Sequence, residues 1–205
     1  PKDENPLKTL ENLASSGASG IRLSPSTEFS RIDSKKVWDM AGKLGLPVSV
    51  HANVLDLISD KFQEILSSSN NTKLILEHYA GLGTTLMGNG KLKSVQKLSI
   101  KTHLKNFDKV LEYSKYPNIF VKIHGLGEIE PRKKLLKDNF DLKDSNNIIK
   151  LLKQTFGCKK IMWGSDYPPV SGREGYFNSL KSITENNIFS KSDLIEILWE
   201  TPRKA

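Results

Sequence analysis

The sequence contains one cysteine and no long apolar segment. A single cysteine, Cys158, cannot form an internal disulfide bond, and its position directly before an apolar run favours a structural role over a reactive thiol. No segment approaches the roughly 18 consecutive apolar residues that a membrane-spanning helix requires, and residues 1–5 lack the pattern of an export signal. We therefore expect a cytoplasmic protein that does not interact with membranes.

Basic residues exceed acidic residues, but they are scattered along the chain. The sequence has 31 lysines and arginines against 23 acidic residues, which gives a net charge of +8. The densest basic group lacks the interleaved aromatic residues typical of a nucleic-acid groove, and it comprises Arg132, Lys133, Lys134 and Lys137. We expect a small-molecule substrate and no nucleic acid, and homo-oligomer formation is left open. The length of 205 residues indicates one domain over residues 1–205.

Amphipathic helical windows alternate with short apolar runs. One face of the first clear helix carries Val37, Met40, Ala41 and Leu44. The next helix carries Ile58, Phe62, Ile65 and Leu66 on one face. Five strands are predicted in all, beginning near residues 20, 47, 74, 119 and 160, and each follows a helix. Because such crossovers are right-handed, the pattern predicts an α/β fold with a parallel sheet.

A glycine-rich phosphate turn is absent after the first strand, which disfavours an open doubly wound sheet. The pattern then favours a partial (β/α)8 barrel. The glycine-containing segment from Tyr79 to about Ile100 is long and irregular. Long segments of this kind are often functional, so we interpret it as a lid over the site or as a surface insertion.

Polar residues stand where the predicted strands end. The carboxyl ends of parallel strands meet at one mouth of a barrel, and these positions hold Arg22, His51, His78, His124 and Asp166. Imidazole and carboxylate groups are ligands of Zn²⁺, and a bound metal lowers the pKa of its water. Asp166 could bind the ion, accept the proton of the water, or do both. Arg22 could hold a substrate carboxylate or form a salt bridge at the rim.

Five segments carry a resemblance to a known family. They are GIRL at 20–23, LGLPVSVH at 44–51, LILEHYAG at 74–81, YPNIFVKIHGLGEI at 116–129 and IMWGSDYPPVSGREGY at 161–176. In order and spacing they resemble strands four to eight of the amidohydrolase-related (amidohydrolase 2 type) barrel hydrolases and lactonases, whose relatives include decarboxylases. The resemblance implies a TIM barrel whose first strands are missing from this chain.

The resemblance also implies roles for individual residues. His51 and Asp166 would bind a divalent metal, most simply zinc, although some relatives work without metal. His78 and Asp166 would be catalytic, while Arg22 and Tyr167 would contact the substrate. We expect His124 to contact the substrate as well, although it could instead be an added ligand or acid, or merely a variant strand end. Two positions depart from the family pattern, since Glu77 replaces a common aspartate and His124 replaces a small or imino residue. The family's His-x-His motif does not occur in the chain.

The function expected from this resemblance is a hydrolase that opens a lactone, or a related ester or amide, of a carboxylated small molecule. Two alternatives remain: a metal-dependent, non-oxidative decarboxylase on the same scaffold, and a non-catalytic fragment or partner subunit. Five strands of an eight-stranded barrel leave two unpaired edges. We therefore predict that the 205-residue chain has no activity by itself.

Overall fold

The computed structural model describes residues 3–83, 105–124 and 143–205. Its five strands pair in parallel in the order β1-β2-β3-β4-β5, as the alternation of helices and apolar runs predicts. The strands are β1 (Ile21–Leu23), β2 (Val48–Val50), β3 (Leu74–Leu76), β4 (Ile119–Ile123) and β5 (Ile161–Trp163). An α/β fold with a parallel sheet is thereby confirmed. The assignment of these strands to positions four to eight of a barrel stays a prediction.

Helices connect the strands. The α-helices span Pro6–Ser15, Ser34–Lys43, Val54–Leu57, Asp60–Ser68, 105–111, Lys143–Phe156, Tyr176–Thr184, Lys191–Ile195 and Thr201–Lys204. A π-helical segment, Glu196–Glu200, joins the last two. Shorter 3-10 turns occupy Glu112–Lys115, Cys158–Lys160 and Pro169–Gly172. Among the described residues, no helix is long and apolar enough to cross a membrane.

One predicted helix is in fact two. The spacing of Ile58 and Phe62 predicts a continuous helix, but Ile58 caps the carboxyl end of Val54–Leu57 and a second helix begins at Asp60. The side chain of Ser59 accepts a hydrogen bond from the Phe62 amide, which starts the second helix. Hydroxyl caps of this kind compete successfully with helix continuation.

The two faces of the sheet differ in composition. One face packs under the helices as the main core, whose largest fully buried side chains include Trp38, Phe62 and Tyr79. The alternate positions of the strands form a smaller apolar cluster of Ile75, Phe120 and Met162, and the carboxy-terminal Ala205 packs against it. On that second face the register pairs Arg22 with Ser49, so polar side chains also lie there.

Some predictions fall partly or wholly outside the described residues. The proposed lid does so from residue 84 onward, and so does the basic group at 132–137. The described beginning of the lid segment, Tyr79 to Leu82, is buried. Those residues therefore belong to the core and not to a surface lid.

Candidate active site

The four predicted strand-end residues that carry imidazole or carboxylate groups follow four consecutive strands. His51 comes directly after β2, His124 directly after β4, and Asp166 shortly after β5. His78 is the second residue after β3. Parallel pairing of these neighbouring strands brings their carboxyl ends to one edge of the sheet. The sequence prediction that these side chains gather at one rim is thus reproduced by the structure.

The chain leaves β3 through a left-handed turn. His78, Tyr79 and Ala80 have φ angles of 53°, 57° and 54°, and Gly81 follows with φ 87°. Residues other than glycine rarely adopt this conformation, which costs about 1 to 2 kcal/mol per residue. The buried Tyr79 side chain offsets part of that cost, and its hydroxyl donates a hydrogen bond to the backbone carbonyl of His124. The turn therefore fixes His78 against the end of β4.

Glu77 is the centre of a charged network beneath the histidines. Its Oε2 accepts hydrogen bonds from Arg22 Nε at 2.8 Å and lies 2.7 Å from Arg22 Nη2. Its Oε1 accepts a hydrogen bond from Ser49 Oγ at 2.7 Å. Lys122 Nζ donates to Ser49 Oγ at 3.0 Å and lies 3.6 Å from Glu77 Oε1. The side chain of Glu77 is only 7% exposed, and two cations neutralise it.

This network keeps Glu77 ionised. Burial by itself raises the pKa of the Glu77 carboxyl, but the hydrogen bonds from Arg22 and Ser49 and the charge of Lys122 outweigh it and lower the pKa to about 2. The Glu77 carboxylate is consequently a permanent anion with its acceptor capacity in use. It cannot act as a proton acceptor near neutral pH.

Arg22 also determines the protonation of His51. Arg22 Nη2 lies 2.9 Å from His51 Nδ1, and because a guanidinium only donates, Nδ1 must accept. In the neutral ring the proton is then on Nε2. Burial, followed by the charge of Arg22, lowers the pKa of His51, so this neutral form predominates at neutral pH.

A second group lies around Asp166. The rings of His78 and His124 stack with their centroids 4.3 Å apart and an interplanar angle of 5°. Asp166 Oδ2 accepts a hydrogen bond from Arg173 Nη2 at 2.5 Å, while Asp166 Oδ1 lies 3.9 Å from His124 Nδ1. Burial, followed by the charge of His78, lowers the pKa of His124 far below its ordinary value. His124 is therefore a neutral imidazole.

Two overlapping groups of side chains contain the donor types that bind a divalent metal ion. In each set the candidate ligand atoms all lie within 4.8 Å of one another, and the sets are His51 with Glu77 and His78, and His78 with His124 and Asp166. Neutral imidazoles and carboxylates are the groups that Zn²⁺ accepts. The two predicted metal ligands, His51 and Asp166, do not fall in the same set.

The structure brings most of the predicted site residues together, but not all. Arg22 contacts His51, and His78 lies beside both His51 and His124, with ring centroids 5.4 Å and 4.3 Å away. Tyr167, predicted to contact substrate, is 70% exposed, and its side chain takes part in none of these contacts.

Four contributors were not among the predicted site residues: Glu77, Ser49, Lys122 and Arg173. By sequence, Glu77 is only a substitute for a common aspartate, and Lys122 is only an interior residue of a predicted strand. The signal for both was the two-residue period of a strand, which puts Lys122 out of phase with the core residues Val121 and Ile123. Arg173 gave no signal because it follows Asp166 through an irregular turn.

Cys158 has the structural role that its position indicates. Its thiol donates a hydrogen bond to Asp193 Oδ1 at 3.2 Å. Burial, the hydrogen bond and the negative charge of Asp193 raise the pKa of the thiol to about 12. Because only the thiolate is a nucleophile, Cys158 is inert at neutral pH.

A parallel α/β sheet with imidazole and carboxylate groups at its strand ends is the arrangement of an α/β enzyme site. A comparison with protein-family models then identifies the family. The amidohydrolase family model matches residues 1–205, so the chain belongs to the amidohydrolase family. A comparison with curated protein sequences gives no match.

Several solved structures share this fold. An amidohydrolase from Burkholderia multivorans with bound zinc has a TM-score of 0.72 and 16% identity, over 99% of this chain and 71% of that one. A protein from Pseudomonas putida, described as a 2-pyrone-4,6-dicarboxylic acid hydrolase, has a TM-score of 0.65 and 16% identity, over 99% of this chain and 67% of that one.

A third similar structure is a dihydroxybenzoic acid decarboxylase from a Polaromonas species, with bound manganese and an inhibitor. It has a TM-score of 0.56 and 16% identity, over 97% of this chain and 64% of that one. At such identities the likeness establishes the fold and leaves the reaction open.

Proposed function

We propose that the protein carrying this chain is a hydrolase that opens a lactone, or a related ester or amide, of a carboxylated small molecule by means of an activated water. The observation that carries the proposal is the placement of Asp166. One of its carboxylate oxygens is held by Arg173, and the other faces His124. A carboxylate held in this way can take a proton from water at a fixed position.

The proposed role of Asp166 is that of general base. Glu77, the other carboxylate of the site, is saturated by Arg22 and Ser49. The Asp166 side chain is 17% exposed, so water and substrate can reach it. A divalent metal, when bound, would supply a water of lowered pKa at the same place. His78 and His124 would orient the reacting group, since both rings flank the carboxylate.

The proposed substrate class is supported by the charge around Arg22. Arg22 and Lys122 together contribute two positive charges to the Glu77 network, against one carboxylate. The Arg22 side chain is 56% exposed, so part of its guanidinium faces solvent while Nε and Nη2 are engaged. The uncompensated positive charge favours an anionic substrate, and a planar guanidinium suits a carboxylate.

A decarboxylase is the second candidate. The imidazole rings of His78 and His124 stack at the strand ends, where a ring nitrogen that carries a proton could deliver it to a carbanion left by loss of CO₂. The same positive charge near Arg22 would hold the carboxylate that leaves. This alternative uses the same residues and differs in the bond that breaks.

Product analysis separates the two reactions. The whole gene product carrying these residues is incubated with a panel of carboxylated lactones and with carboxylated aromatic acids, and products are identified by mass spectrometry. Ring opening with uptake of one water supports the hydrolase. Release of CO₂ without ring opening contradicts it and supports the decarboxylase.

Two matched aspartate variants test the role of Asp166. Asp166→Asn should lower kcat by about 10²- to 10⁴-fold, because a positioned base contributes that much. Asp39→Asn removes a surface carboxylate that pairs with Lys43 on one helix, and it should leave kcat unchanged. Equal activity of the two variants would exclude Asp166 as the base. Residues 1–205 assayed alone are predicted to be inactive, and turnover by that chain would contradict this prediction.

A further inference from the structure

We propose that Lys122 is the residue that binds the anionic group of the substrate, and that Arg22 is mainly the counterion of Glu77. The proposal deepens the function proposed above and rests on it for the class of substrate, because it names the side chain that selects a carboxylated molecule. It concerns binding and not the bond that breaks, so it can be tested apart from turnover.

Lys122 lies deeper in the site than the histidines at the rim. It precedes His124 by two residues on β4, so the two side chains leave the same face of the strand, about 6.6 Å apart along it. The strand register places Met162 of β5 opposite Lys122. A small molecule whose reacting group lies beside His124 therefore meets Lys122 with its deeper end.

The side chain of Lys122 extends across the sheet. It begins on β4, and its Nζ donates a hydrogen bond at 3.0 Å to Ser49 Oγ on β2, with β3 between them. Gly164 leaves room for this stem, since a Cβ at that position would lie 3.0 Å from Lys122 Cδ and 3.3 Å from Lys122 Cγ. The side chain is 23% exposed. Its charge is thus held at a defined place that a ligand can reach.

The ammonium group of Lys122 has hydrogen-bonding capacity to spare. It carries three N–H donors, and one of them is used by Ser49, whose own proton goes to Glu77 Oε1. Glu77 Oε1 lies 3.6 Å from Lys122 Nζ, beyond the length of a charge-assisted hydrogen bond. Lys122 has no other polar partner within the part of the chain that the structure describes. At least one N–H therefore remains for a ligand.

Arg22 is more fully engaged than Lys122. Its Nε and Nη2 contact Glu77 Oε2 at 2.8 and 2.7 Å, and Nη2 also donates to His51. These contacts neutralise Glu77 and leave the third guanidinium nitrogen for a second contact to the substrate. The positive charge that Glu77 does not compensate is accordingly that of Lys122.

Apolar side chains on the same face strengthen this charge. Ile75, Phe120 and Met162 form a buried cluster there, and the low polarity of such surroundings makes an ion pair stronger than it is in water. A carboxylate that enters the site gains this interaction, whereas its neutral ester does not. We therefore expect Lys122 to distinguish an acid from its ester.

The binding of an acid and of its methyl ester tests the assignment. The probes are 2-furoate, a ring carboxylate, and methyl 2-furoate, and their dissociation constants for the whole gene product are measured by nuclear magnetic resonance titration. The unaltered protein should bind the acid at least about tenfold more tightly, because a hydrogen bond to a charged group contributes that much. Lys122→Met keeps the stem and should bind both probes equally. Lys122→Arg keeps the charge and should retain the preference.

Lys153→Met is the matched control. Lys153 also pairs with one carboxylate, that of Asp193, and its side chain is 30% exposed, close to the value for Lys122. It lies on the helix Lys143–Phe156, where its other partner is the Ile188 carbonyl. Lys153→Met should therefore retain the full preference for the acid. Lys122→Gln is a second charge-removing variant, and near-ultraviolet circular dichroism reports the folding of each protein.

A preference for 2-furoate that survives in folded Lys122→Met or Lys122→Gln would overturn the proposal. An unaltered protein that binds neither probe, or binds both equally, would overturn it as well. A preference that depends on Lys122, without turnover of any lactone, would support this assignment and contradict the hydrolase. Lactone turnover with a preference independent of Lys122 would do the reverse.

Discussion

The site has two halves built from the same groups. In the first, Glu77 meets an arginine, Arg22, and a histidine, His51. In the second, Asp166 meets Arg173 and His124 in the same way. The two halves differ in how many hydrogen-bond and ion-pair partners their carboxylates have. Glu77 is held by two cations and a hydroxyl, whereas Asp166 has one arginine on one oxygen. A carboxylate whose acceptors are all occupied holds structure together, and one with a spare oxygen is available for chemistry.

The largest effect on stability should come from removing the charge of Glu77. Glu77→Gln leaves Arg22 and Lys122 without their counterion, and it should lower the free energy of unfolding by about 3 kcal/mol. This is the lower end for a buried pair, because the Arg22 side chain is 56% exposed. The unfolding midpoint in urea measures it.

Glu64→Gln is the matched control for this variant. Glu64 pairs with Lys35 at 2.9 Å, but its side chain is 61% exposed, and exposed pairs contribute at most about 1 kcal/mol. If both glutamine variants unfold at the same urea concentration, the description of Glu77 as a structural centre is wrong.

A somewhat smaller effect on stability is expected at the left-handed turn after β3, which contacts both halves. In Gly81→Ala the new Cβ would lie 2.9 Å from the Asn53 carbonyl carbon and 3.0 Å from the Val54 nitrogen, at a φ of +87°. Gly17 has a similar φ of +92° with no atom within 4 Å of the new Cβ. We expect a loss of about 2 to 3 kcal/mol for Gly81→Ala and about 1 kcal/mol for Gly17→Ala. Equal thermal stabilities would show that the backbone contact is unimportant.

The contribution of the Glu77 network to the free energy of unfolding should also depend on pH. The pKa of Glu77 is about 2 in the folded chain against an ordinary 4.5. A lowered pKa stabilises the folded state above the unfolded value, and this contribution is lost as the pH falls from about 4.5 toward 2. The metal-free chain should lose on the order of 2 kcal/mol more than Glu77→Gln over that range. Parallel pH profiles of unfolding free energy for the two proteins would contradict the network.

The smallest expected effect on stability concerns the hydrogen bond of Tyr79, which links the two halves. Tyr79→Phe removes the buried hydroxyl that donates to the His124 carbonyl, and it should cost about 1 kcal/mol. Tyr167→Phe changes a hydroxyl on a side chain that is 70% exposed and should be neutral within about 0.5 kcal/mol. Thermal melting of the pair measures the difference, and a neutral Tyr79→Phe would mean that the hydroxyl does not hold the two strand ends together.

Much of the sheet could be predicted from the sequence because its strands are short apolar runs. Leu74–Leu76 is buried at every position, as the uninterrupted run indicates. The predicted end of that strand at His78 was too late by two residues. No local signal announces that His78 and Tyr79 turn left-handed, since this conformation is held by tertiary contacts of Tyr79.

The part of the site that lies at strand ends could be predicted from the sequence, because strand ends themselves could be predicted. His51, His78, His124 and Asp166 were placed correctly at one rim by the rule for parallel strands. The network of Glu77 depends on register: Arg22 lies opposite Ser49, and Lys122 lies within reach of both Ser49 and Glu77. Register is a pairing between distant segments, and a single sequence does not contain it.

The left-handed turn also separates two kinds of sequence change. Substitutions that keep the left-handed backbone, the buried ring of Tyr79 and the close approach of Gly81 to Asn53 leave His78 at its place on the rim. Substitutions that break any one of these three features displace His78, even though none of them touches a reacting group.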